Sequence, residues 1–154
     1  LKTVPAAGGT CLAVLGFAGQ DDAVAAGLSL SAADGLAGCD LLDQRLLALA
    51  RTDPAGLVPP AVAAALVLTF EGESVLPADR TAVRSAGGLY ALGAGPRPVA
   101  CVEDVAVPPE ELPRFLTAVR GALQHADLTA SVLCHVPAGQ VHLRPFVDLS
   151  SPAD

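Results

Sequence analysis

Residues 109–148 constrain the fold more than any other part of the chain, because they set a one-sided helix directly before a β-hairpin. Leu112, Phe115, Leu116, Val119 and Leu123 recur at helical spacing, so residues 109–126 are predicted to form a helix with a single apolar stripe. Pro109 suits its first position and Glu110 and Glu111 complement the positive first turn, while Pro113 is placed to sharpen or kink that turn. Beyond it, residues 130–136 and 140–148 read as strands around a Pro137-Ala138-Gly139 turn. The stripe must be covered by another layer, and a sheet built on this hairpin is the natural one.

Earlier segments extend the same plan. An apolar run at 11–18 reads as a buried strand that passes through Gly19-Gln20-Asp21 into an Asp-capped helix at 22–28. Residues 40–51 read as a helix capped by Asp40, with Asp43 in its first turn, Leu42, Leu46 and Leu49 on one face, and Pro54 beyond its end. The second half of 61–72 reads as a strand, 79–92 as a helix interrupted by Gly87-Gly88, and 98–107 as a strand buried on both faces. Strands mixed with helices and at least one antiparallel hairpin predict a single α+β domain, an antiparallel sheet with helices packed on one face.

Composition removes several function classes. A net charge of −7, with the basic residues scattered singly, provides no stripe for a nucleic-acid backbone. No membrane span is expected in this segment, because the apolar run at 61–70 is cut off by Glu71-Gly72-Glu73. With aromatics at 3% and no Met or Trp, the core must be aliphatic. Cys11, Cys39, Cys101 and Cys134 lack CxxC or zinc-finger spacing, and each sits in an apolar setting. They are expected to be buried structural thiols in a reducing, cytoplasmic compartment. The chain starts at Leu1 rather than Met, and is expected to be a segment of a longer protein.

The hairpin carries the chemistry. A two-residue tip at Ala138-Gly139 would set His135 directly across from His142, with Cβ atoms roughly 4.5–5.5 Å apart. Arg144 shares their face, whereas Cys134, Val141 and Leu143 point to the apolar side. Two imidazoles at that separation can bind one metal ion, and a neighbouring guanidinium can grip a carboxylate. A solvated polar face is the other reading of the same spacing. A three-residue loop would shift the pairing by one and turn one histidine away, and two ligands do not close a site. Glu103-Asp104 interrupts an apolar strand and is expected to pair with Arg97 or tie down the strand end, while Arg84 stands alone among small residues. The glycine pairs do not form a phosphate-cradling loop. Ser131 and Ser150 have no base partner visible in sequence, so nucleophilic catalysis is not supported.

Three segments, taken in order and spacing, resemble one family: Arg84-Ser-Ala-Gly-Gly-Leu, then Glu103-Asp104-Val-Ala-Val-Pro108-Pro109-Glu-Glu-Leu, then His135-Val-Pro-Ala-Gly139-Gln-Val-His142-Leu-Arg144-Pro145. They look like the C-terminal cap domain of FAD-linked oxidases of the glycolate oxidase, D-lactate and D-2-hydroxyglutarate dehydrogenase type. The nearest subgroup appears among bacterial proteins that fuse the flavoenzyme to an iron–sulfur domain. Asp40-Leu-Leu-Asp43 and Leu66-Val-Leu-Thr-Phe-Glu71-Gly72 also look like its cap segments. The resemblance implies a ferredoxin-like cap over a flavin bound by another domain of the same parent chain, with an iron–sulfur cluster elsewhere in that parent. It implies a small 2-hydroxy acid as substrate, His135 and His142 as ligands of a divalent metal, zinc being the expected ion, and Arg84 and Arg144 as substrate contacts. Two positions depart from the family pattern: Thr81 stands where a tryptophan is expected, and Cys134 where a glycine precedes the first histidine. The third metal ligand and the catalytic base are expected from a downstream Glu-His-Gly segment outside this chain, so the isolated chain is expected to be inactive. The competing reading is a non-catalytic ferredoxin-like module that binds a metal or a small anion.

Overall fold

The computed structural model describes residues 10–49, 62–71 and 96–150. The predicted helix at 79–92, and Arg84 with it, lies outside them. Among the described residues the chain forms seven strands: β1 (Thr10–Phe17), β2 (Leu36–Asp43), β3 (Ala64–Glu71), β4 (Arg97–Pro98), β5 (Val102–Ala106), β6 (Ala130–His135) and β7 (Gln140–Val147). The helices are α1 (Gln20–Leu30), α2 (Gln44–Leu49) and α3 (Leu112–His125). All pairings are antiparallel, in the order β1-β3-β2-β6-β7, with β4 and β5 both on the outer side of β7. This is the expected α+β architecture, an open antiparallel sheet of ferredoxin-like kind with its two long helices on one face. Among the described residues no helix is long and apolar enough to cross a membrane.

Alternation along each strand builds two unequal cores. Under α1 and α3, Leu41, Leu66, Leu68, Val132, Cys134, Val141 and Leu143 from the sheet meet Ala23 and Val24 of α1 and Leu112 and Leu116 of α3. On the opposite face a smaller cluster joins Leu42 and Val67 to Leu46 of α2, bordered by Leu12, Val14, Leu47 and Leu133. The predicted stripe on 109–126 is the face α3 buries. A 3-10 turn at Pro109–Glu111 precedes it, and Pro113 falls in the first turn, where a proline lacks no helical hydrogen bond and no kink is required.

Residues 40–43 are strand, not the start of a helix. The i, i+4 spacing of Leu42 and Leu46 suggested a helix from Asp40, but β2 runs between β3 and β6 and is buried on both sides, and that long-range pairing overrides local propensity. The cap is Asp43, whose Oδ1 accepts the Leu46 N–H at 2.8 Å. Burial pushes the Asp43 carboxyl above the usual carboxylate range, against the lowering effect of that hydrogen bond. Asp43→Ala is expected to cost about 1 kcal/mol, the usual loss for an N-cap, in a urea melt. Helix α1 also differs from expectation. It starts at Gln20 without a side-chain cap, so Asp21 and Asp22 lie inside its first turn and interact with the helix dipole instead.

The predicted strand at 98–107 is broken into β4 and β5 and is not buried on both faces; Ala100, Cys101, Asp104 and Ala106 are exposed, because both pieces lie at the sheet edge. The cysteines divide in the same way. Cys39 and Cys134 are buried as expected, whereas Cys11 and Cys101 are exposed. Burial, aided by the negative charge of Asp40, pushes the Cys39 thiol up to about 11; burial, with Cys39 and Asp40 beside it, pushes Cys134 up to about 12. In a thiol-reagent assay on the native chain, Cys11 and Cys101 are expected to react promptly and the two buried thiols only after denaturation. From about pH 9, the ordinary value here, the unfolded chain gives up two protons that the folded chain keeps. Stability is therefore expected to fall as pH rises above 9, seen as a declining urea midpoint.

Candidate functional site

The site is assembled on the face opposite α1 and α3, from β2, β5, β6 and β7. Its geometry starts at the hairpin turn. A 3-10 turn at Val136–Ala138 and a left-handed Gly139, at φ +61, join β6 to β7, so the turn takes four residues rather than two. The register is therefore His135 opposite Gln140 and Leu133 opposite His142, not His135 opposite His142. The displacement is by two residues, and with a side-chain period of two it leaves every side chain on its expected face. His135 and His142 become diagonal neighbours, their ring centroids 5.3 Å apart and their planes at 87°. Arg144 lies opposite Ser131 on the same face, and Cys134 and Val141 pair on the other.

Two contacts fix the turn. Val136 is fully buried, and a Cβ on Gly27 of α1 would lie 3.0 Å from its Cγ1, so a side chain there would require Val136 to shift by a few tenths of an ångström. At Gly139, the backbone O accepts the Val107 N–H at 3.0 Å, which ties the turn to the segment following β5.

Each imidazole meets a carboxylate from a neighbouring strand. Asp40 is directly opposite His135 across β2 and β6, and its Oδ1 is 2.6 Å from His135 Nδ1. His142 Nδ1 is 2.6 Å from Glu103 Oε2, while Arg144 Nε donates to Glu103 Oε1 at 2.8 Å. Glu103 reaches them through a β-bulge. Val102 pairs with Leu143 and Val105 with Val141, so β5 spends one extra residue there, and Asp104 takes it up at φ +58 with its Oδ1 accepting from Gln140 Nε2 at 2.6 Å. Burial opposes ionisation of Glu103, but the hydrogen bonds from Arg144 and His142, with the charge of the Arg144 guanidinium, outweigh it and hold the carboxyl below its usual range.

An ionised carboxylate only accepts hydrogen bonds, so these partners assign the hydrogen of both rings to Nδ1 and leave Nε2 as the nitrogen able to bind a ligand. A histidine that donates its other ring N–H to a carboxylate is the usual arrangement around a protein-bound metal, which makes this donor set a fit for a divalent ion. It supplies two nitrogens. Among the described residues no group of three or more His, Cys, Asp or Glu could hold a metal by itself.

Of the residues proposed from sequence, His135, His142 and Arg144 come together, and Arg84 is outside the described part. Asp40 and Glu103 differ from expectation: Asp40 pairs with His135 rather than capping a helix, and Glu103 holds His142 and Arg144 rather than pairing with Arg97 or tying down the strand end. The one signal for Glu103 was an acidic pair interrupting an apolar strand. Asp40 had none, since its partner is 95 positions away.

Residues 78–154 match the family model described as FAD linked oxidases, C-terminal domain. The chain is 39% identical over 69 residues to the D-2-hydroxyglutarate dehydrogenase of Pseudomonas putida, a stretch covering 45% of this chain and 7% of that protein. It is 39% identical over 56 residues to the enzyme of that name from Pantoea ananatis, covering 36% and 6%, and 36% identical over 56 residues to that of Escherichia coli, again 36% and 6%. The chain thus spans less than a tenth of the length of these relatives. The family match covers half of the chain and includes Glu103, His135, His142 and Arg144, and on that ground this chain belongs to the C-terminal domain family of the FAD linked oxidases.

Proposed function

We propose that this domain is the substrate-capping part of an FAD-dependent 2-hydroxyacid dehydrogenase, and that it contributes metal and carboxylate contacts to a site completed by an FAD-binding domain of the same parent chain. The observation that carries the reading is the imidazole pair at 5.3 Å, each ring backed by a carboxylate at 2.6 Å, in a domain of this family. Relatives named D-2-hydroxyglutarate dehydrogenase favour a small D-2-hydroxy acid as the substrate class. When bound, a divalent metal such as zinc would supply a Lewis acid for the substrate hydroxyl, and FAD would supply the hydride acceptor.

The chain's own residues bind and orient. His135 and His142 offer Nε2 to the metal, with the rings held by Asp40 and Glu103. Arg144 supplies positive charge two residues beyond His142 on the same face, suited to the substrate carboxylate, and Arg84 is proposed as a second carboxylate contact. The third metal ligand and the catalytic base are assigned to the rest of the parent, so this chain alone is expected to bind without oxidising. The test is calorimetric titration with zinc of the chain and of His135→Ala and His142→Ala. Binding that either substitution abolishes is expected. Binding that survives both removes the shared site from the reading.

A further inference from the structure

We propose that Glu103 is a positioning residue that locks His142 and Arg144 into one fixed relation, while Asp40 positions His135. This rests on the reading of the two histidines as metal ligands and of Arg144 as a carboxylate contact. The two contacts of Glu103 use different oxygens of one carboxylate, Oε2 for His142 and Oε1 for Arg144, and the two partners are alternate residues of β7. A strand places alternate side chains on one face roughly 7 Å apart, within reach of a single side chain inserted between them from the neighbouring strand. The bulge at Asp104 is what brings Glu103 to that point. By contrast, Asp40 engages His135 on the same face but from β2, at the opposite flank of the hairpin from β5, with 8% of its side chain exposed against 27% for Glu103.

The consequence is a difference between the two carboxylates. Each sets the tautomer of its histidine and so decides whether Nε2 carries a lone pair or a hydrogen. Glu103 also holds the guanidinium, through its second oxygen. In Glu103→Gln the carbonyl oxygen can keep Arg144 Nε, but the amide NH2 then faces His142, whose Nδ1 must accept. The ring hydrogen moves to Nε2, where it blocks a metal. In Glu103→Ala the carboxylate is gone, so His142 Nδ1 and Arg144 Nε both lose the acceptor it supplies.

The experiment is NMR of the 154-residue chain at about pH 8.5, where free imidazole is neutral, combined with zinc titration. Imidazole nitrogen shifts read the tautomers and the Arg144 Nε–H signal reads the guanidinium. The chain is expected to show Nδ1–H at both histidines and a protected Arg144 Nε–H. Glu103→Gln is expected to flip His142 alone, keep the Arg144 signal and weaken zinc binding on the order of 10- to 100-fold. Glu103→Ala is expected to lose the Arg144 signal as well, and Asp40→Asn to change His135 and leave His142 and Arg144 as they were. Gln preserves the size of the side chain, and circular dichroism checks the fold of each variant. An unchanged His142 tautomer in Glu103→Gln, or an intact Arg144 signal in Glu103→Ala, overturns the proposal. If the unmodified chain takes up no zinc while the tautomers and Arg144 respond as described, the metal reading fails and the positioning role stands.

Discussion

Gly139→Ala is expected to destabilise the domain by about 3 kcal/mol or more, and to separate the two imidazoles even in the molecules that remain folded. Two effects combine. The first is the left-handed backbone at φ +61, disfavoured for any residue with a Cβ. The second is larger: an added Cβ would lie 1.9 Å from the Val107 backbone O and 3.1 Å from its carbonyl carbon, so the turn or the segment after β5 must move. Movement there breaks the Val107 N–H bond to Gly139 O and disturbs the register that sets His142 beside His135. Chemical denaturation measures the loss, and cross-strand contacts between Leu133 and His142 report the register. Asparagine tolerates a left-handed backbone better than alanine does, yet it carries the same Cβ. If Gly139→Asn restores stability, backbone conformation alone was at stake and the steric account is wrong.

Leu41→Ala is expected to cost about 2–5 kcal/mol, the range for emptying a well-packed leucine site. Leu41 is fully buried in β2, next to Leu66 in β3 and Cys134 in β6, in the core under α1 and α3. The cavity would open on the helix side of the sheet. Asp40, adjacent in sequence, points to the other side. The folded fraction should therefore keep the Asp40 contact to His135, with the His135 tautomer unchanged while the urea midpoint falls. A change in that tautomer equal to the one in Asp40→Asn would show that the two faces of β2 are not independent. Leu42→Ala is a useful comparison, since Leu42 packs in the smaller cluster beside Leu133 on the site's own face.

Local pattern carried much of this structure. The stripe from Leu112 to Leu123 is spaced for one helix face, and the runs on either side of Pro137-Ala138-Gly139 alternate as strands do, so the helix, the hairpin and the layered α+β plan were readable directly. The shared face of His135, His142 and Arg144 was readable for a related reason. It depends on the parity of the register and survived an error of two residues in the length of the turn. The resemblance carried by residues 103–112 and 135–145 agrees with the family match.

What the sequence determined by itself was whatever depends on neighbours within a few positions: periodicity, turn residues and the alternation of faces along one strand. Which strands lie side by side was settled by packing between distant segments. Asp40 became a strand residue because β2 is held between β3 and β6, an arrangement that outweighs the helical spacing of its leucines. Glu103 found His142 and Arg144, not Arg97, because a one-residue bulge aims it there and β5 docks on β7. The histidines are local features of a hairpin. The carboxylates that orient them are 95 and 39 positions away, and bringing such residues together is the work of sheet pairing, which no short-range pattern encodes.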